Sequence, residues 1–190
     1  MRKSILSGTV AAALTASALA GAAAPPAITS TSIAGATRGL TVAAYKRLLG
    51  GPNRLEVAKK GSLTGFQDPE GWTRLVFPQR KLQVYFDGRP RSVLVTTWNK
   101  EYKTAVGIGP CSTVAQLKRA YGSRIRPSKF NTQHGKVYVY TMGDLLFAAA
   151  DLTQVTAVGL YDSKAPDANR NGGSLAYAGF VIQADQVSCS

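Results

Sequence analysis

Apolar positions along the chain change their period twice, in the same order each time. In TVAAYKRLLG, Thr41 to Gly50, Val42, Tyr45, Leu48 and Leu49 recur at the spacing of one helical stripe. In TVAQLKRAYG, Thr113 to Gly122, Val114, Leu117, Ala120 and Tyr121 do the same, and six of the ten positions are identical to the first segment. Each segment opens on a threonine suited to accept a free N–H of the first helical turn. Each closes on a glycine, which tolerates the left-handed conformation beyond a helix end. Helices this short do not persist alone in water, so each needs a platform.

Downstream of each helix the period falls to two. WTRLVF (Trp72 to Phe77), KLQVYF (Lys81 to Phe86) and RSVLVTTW (Arg91 to Trp98) follow the first, with Asp87-Gly88 as a hairpin signal. KVYVYTM (Lys136 to Met142), LLFAAA (Leu145 to Ala150) and VTAVGLY (Val155 to Tyr161) follow the second, around Gly143-Asp144. Two more strands are expected, Thr104 to Gly109 and Ser174 to Ala184, with Asp162 to Gly173 as a polar surface loop. The pattern predicts an α+β fold of two tandem repeats, each a short helix packed on a small antiparallel sheet. The first spans 40–103 and the second 104–190.

Strand alternation assigns faces. Thr73, Leu75 and Phe77, Leu82, Val84 and Phe86, and Val137 and Val139 are expected to face the helices. Trp72, Arg74, Tyr85, Lys136, Tyr138 and Tyr140 are then expected together on the open side. Exposed aromatic and cationic residues of these types are enriched at binding hot spots. These six are the candidate contact residues for an extracellular or envelope protein partner.

The start of the chain carries a different signal. Arg2 and Lys3 precede an uncharged, alanine-rich run from Ile5 to Ala20, with Ala18 and Ala20 at small-x-small spacing. This reads as a secretory signal peptide over 1–20. Gly21 to Gly39, small and rich in Pro, Thr and Ser, reads as a disordered leader. A secreted location makes Cys111 and Cys189, the two cysteines of the chain, most simply a disulfide.

Charge changes the picture further. The chain holds 23 Lys and Arg against 10 Asp and Glu, a formal net charge of +13. Such a field favours anionic partners. For an exported protein these include cell-surface polymers and lipid headgroups, and nucleic acid is not expected. A basic envelope protein held on an anionic wall polymer or lipid is therefore the alternative to a protein-binding module.

The segments GIGPCSTVAQLKRAYG (Gly107 to Gly122) and LTVAAYKRLLGGP (Leu40 to Pro52), with the strands behind them, resemble the beta-lactamase-inhibitory-protein-like fold. They also resemble the single-repeat lipoproteins of bacterial outer-membrane assembly. The resemblance implies a non-catalytic protein that binds a partner through a sheet face and loops. It departs from the inhibitor in cysteine content: the inhibitor has one disulfide in each repeat, and this chain has one cysteine pair in all.

No catalytic constellation is legible. His134, the single histidine, stands in the polar turn NTQHGK with no orienting partner in sequence. Asp68 and Glu70 flank Pro69 and read as turn formers. Neither a metal-ligand spacing nor a phosphate-cradling loop is present, so no metal, cofactor or catalytic residue is assigned. An enzyme of unrecognised type, working through His134 or a lysine, is the remaining alternative.

Overall fold

Two eight-residue helices, α1 (Val42–Leu49) and α2 (Val114–Tyr121), form where the threonine-to-glycine segments predict them. Thr41 accepts a hydrogen bond from the Ala44 N–H at 3.3 Å, and Thr113 accepts one from the Gln116 N–H at 3.0 Å. At α2 the Gln116 side chain also accepts from the Thr113 N–H at 2.8 Å, closing a capping box. Gly50 and Gly122 end the helices at φ 86° and 54°, conformations that a β-carbon disfavours. The computed structural model describes residues 27–57, 73–132, 135–162 and 189. The expected signal peptide, Trp72, His134, Asp68 and Glu70, and the strand expected at Ser174 to Ala184 lie outside the described residues.

The described chain is α+β, with two helices on one large antiparallel sheet. Beyond a two-stranded ribbon, β1 (Ser32–Ile33) and β2 (Ala36–Thr37), eight strands form that sheet: β3 (Arg54–Val57), β4 (Thr73–Phe77), β5 (Leu82–Phe86), β6 (Leu94–Thr97), β7 (Arg126–Thr132), β8 (Gly135–Met142), β9 (Leu145–Ala149) and β10 (Ala157–Tyr161). Their order is β3-β4-β5-β6-β10-β9-β8-β7, every neighbouring pair antiparallel. Each helix precedes a run of four strands, and the two runs meet at β6 and β10.

The helices lie on one face of this sheet. Tyr45 of α1 meets Phe86 of β5 edge to face, ring centroids 6.1 Å apart. Tyr121 of α2 meets Phe147 of β9 at 5.6 Å. Leu75, Leu82, Val84, Val95, Val158, Leu160 and Phe147 form the sheet side of this core, and Tyr45, Leu49, Val114 and Leu117 form the helix side. Full burial of each such side chain contributes about 1.5–3 kcal/mol.

Two sequence expectations change here, and two edge strands are added. Residues 27–39 belong to the fold rather than to a disordered leader. Ile28, Ile33 and Ala36 are buried in the core, and β1 packs on β6 and β10. Arg38 fastens the ribbon by donating to the Tyr161 carbonyl at 2.6 Å and pairing with Asp144 at 2.6 Å. Thr104 to Gly109 is a turn, not a strand: the Thr104 hydroxyl and carbonyl draw the chain back at Ile108 and Gly107, and Gly107 has φ 78°. Strands β3 and β7 lack clear alternation; among the described strands they are the two ends of the sheet, and side chains such as Lys129 are exposed there. Pro127, which has no N–H to give a ladder, is tolerated on such an edge.

Cys111 and Cys189 form a disulfide, with Cα atoms 5.3 Å apart and 78 residues of sequence separation. It anchors Cys189 to the loop that opens α2.

Candidate functional site

The six residues expected on one open face are divided between two. Register puts Arg74 opposite Tyr85 on the face turned from the helices. Lys136, Tyr138 and Tyr140 stand on the helix face, because Tyr140 pairs with Phe147 and Tyr138 with Ala149, both in the helix-side core. Val137 and Val139 take the other face, so the expected parity of this strand is reversed. The cause is the two-residue Gly143–Asp144 turn, which pairs Met142 with Leu145 and so carries Tyr140 to the side of Phe147. Trp72 lies outside the described residues.

Neither face presents the six as a platform. Tyr85 is buried, and its hydroxyl donates to the Gln83 side chain at 2.6 Å. Val76, Leu94, Thr96, Leu146 and Ala148 on the same side are buried as well, so this face is not open. Arg74 is half-buried and donates to Glu56 from Nε at 2.6 Å and from a terminal guanidinium nitrogen, while Arg54 also pairs with Glu56. Burial works to lower the Arg74 pKa; Tyr85 and Glu56 outweigh it and hold the guanidinium above its ordinary value. Tyr140 is buried, and its phenol is pushed up by that burial and by neighbouring Tyr138.

Lys136 and Tyr138 remain accessible, the first exposed and the second half-buried. Their surroundings supply residues that strand parity did not single out. Lys129 on β7 is exposed and directly opposite Tyr138. Lys118 on α2 holds its ammonium 5.9 Å from the centre of the Tyr140 ring, a cation–π placement. Arg119, Arg124 and Arg126 extend the exposed charge along the end of α2 and the start of β7. Arg124 also donates to the carbonyls of Ala120 and Tyr121, closing the C-terminal end of the helix.

A sequence signal marks this region. The stretch 102–143 contains seven Lys and Arg and no acidic residue. The ion pairs among the described residues use Arg38, Arg54, Arg74 and Arg89, none of them from this stretch. Among the described residues there is also no group of three His, Cys, Asp or Glu placed to hold a metal. What the arrangement offers chemically is a group of exposed cations on α2 and the adjoining strands, with Lys129 and Lys136 beside Tyr138 on the helix face and Arg126, opposite Thr141, on the other.

No family model matches the chain, and no curated protein matches it in sequence. Among solved structures, a cysteine-rich secretory protein from Staphylococcus aureus is 14% identical, over 66% of this chain and 44% of its own length, with a TM-score of 0.40. The chain thus spans less than half of that protein.

Proposed function

We propose that this is a secreted, non-catalytic binding protein that holds an anionic cell-surface polymer on the end formed by α2, β7 and β8. One observation carries the reading. Lys118, Arg119, Arg124, Arg126, Lys129 and Lys136 are all exposed within a stretch that has no acid to neutralise them. Charge concentrated in this way costs self-repulsion and repays it on meeting a polyanion. The disulfide favours an oxidising, extracellular setting, in keeping with the apolar N-terminal run. A protein partner on the six-residue face is less well supported, since burial withdraws Tyr85 and Tyr140 from it.

The same reading makes the fold a tandem duplication. Terminal pairs Phe77–Leu82 and Met142–Leu145 are counterparts, so β5 and β9 are offset by 63 positions, from 82 to 145. Thr97 pairs with Leu82 and Leu160 with Leu145, so β6 and β10 share that offset, from 97 to 160. Thr96 and Gly159 are then counterparts, and they pair with each other across the junction of the two runs. A two-fold relation between halves requires such a self-paired position.

The test is sedimentation with cell-wall sacculi that carry, or have been stripped of, their anionic polymer. The protein is expected to sediment with the polymer-bearing walls alone. It is expected to be released as salt rises from about 0.1 M to about 1 M, where screening shortens from about 10 Å to about 3 Å. Equal retention on stripped walls, or retention indifferent to salt, rules the reading out.

A further inference from the structure

Resting on that reading, we infer that Tyr138, with Lys118, Lys129 and Lys136 around it, is the recognition subsite of the cationic end, and that it takes a phosphate-bearing sugar chain. Lys129 stands one strand away from Tyr138 and Lys136 two residues along the same strand. Those steps are about 5 Å across the sheet and about 7 Å along the strand, so both lysines neighbour Tyr138 on the same face. Lys118 approaches from the helix, already held over the adjacent Tyr140 ring. Tyr138 is half-buried against the core, which fixes its plane and leaves apolar ring surface for the C–H face of a sugar.

Two features separate this from undirected surface charge. The first is the contrast with the other run of strands. Counting from the terminal pairs Phe77–Leu82 and Met142–Leu145, Tyr138 corresponds to Thr73, Tyr140 to Leu75 and Lys129 to Val57. The sheet is built there without an aromatic or a cation at these three positions, so folding alone does not call for Tyr138 and Lys129; Lys118 has a cationic counterpart in Lys46 and takes no part in this contrast. The second is relief. Helix α2 stands above the sheet beside Tyr140, so Tyr138 lies at the foot of a step. A thin chain follows such a step, whereas a flat bilayer is held off by the helix. The polymer is favoured over lipid on that ground.

The experiment measures the affinity of the mature protein for poly(glycerol phosphate), bare and glycosylated, and for phosphatidylglycerol vesicles. The variant K118Q/K129Q/K136Q is compared with K46Q/R47Q/K100Q, which removes three exposed cations elsewhere. The first is expected to lose at least about tenfold in polymer affinity and the second less than about threefold. Wild type is expected to prefer the glycosylated polymer. Tyr138→Ala is expected to abolish that preference, and Tyr138→Phe, which keeps the ring and its packing, to retain it. Equal losses in the two triple variants, or a preference unaffected by Tyr138→Ala, overturn the subsite and leave the wider reading standing. Wild-type protein that binds neither polymer overturns both, and binding to vesicles alone assigns the surface to lipid.

Discussion

Tyr45 places its ring in the core and its hydroxyl between two partners, donating to the Thr37 carbonyl and lying 2.8 Å from the Ser92 hydroxyl. It thereby joins α1 to the ribbon and to the approach to β6. Burial pushes its phenol up to about 12, while the Ser92 hydrogen bond pulls the other way. An unfolded tyrosine loses its proton near pH 10, so the folded state binds more protons between those values. The stability linked to Tyr45 is therefore complete below pH 10 and is lost as pH rises toward about 12, by roughly 2–3 kcal/mol. Denaturant melts of wild type and Tyr45→Phe across this range check it. The variant is expected to start about 1 kcal/mol lower at neutral pH and to decline less steeply. Gly109 is the other sensitive residue. A β-carbon there would stand 2.1 Å from the Tyr102 carbonyl oxygen, a backbone atom that cannot swing aside. Gly109→Ala is expected to cost at least about 2 kcal/mol, read as a lowered melting temperature.

At the scale of elements, helices and inner hairpins were legible in the sequence because their local chemistry agrees with their packing. Thr113 shows how much such chemistry contributes. Its hydroxyl closes a reciprocal box with Gln116, whereas Thr41 accepts one longer bond. Thr113→Ala is expected to destabilise by about 1 kcal/mol and Thr41→Ala by less, compared by thermal unfolding. Edge strands were not legible, since in RPSKFNT a proline, a lysine and an asparagine interrupt any alternation. The ribbon was missed because two-residue strands leave no period, and its burial comes from distant β6 and β10. The face of β8 was misread because Val137, Val139, Tyr138 and Tyr140 all suit a core. Only the turn at Gly143–Asp144, followed through to Phe147, chooses between them. For the candidate site, Lys136 and Tyr138 came from the strand pattern. Lys118 and Lys129 could have come from the acid-free stretch around them.

At the scale of the molecule, the disulfide and the sheet edge have separate consequences. Linking Cys111 to Cys189 closes 78 residues of chain, which in the chain-entropy account removes about 4 kcal/mol of freedom from the unfolded state. Reduction is expected to lower the denaturant midpoint by a corresponding amount, as followed by tryptophan fluorescence with and without dithiothreitol. Strand β7 runs seven residues along the rim of an eight-stranded sheet, with a proline and a lysine exposed on it. Among the described strands β7 is the last of the sheet, and an edge of that length is a template on which another copy could add strand upon strand. Lys129 would therefore serve in two capacities, meeting the ligand and repelling like chains. A substitution that blunted recognition there would also bring the protein nearer to precipitation.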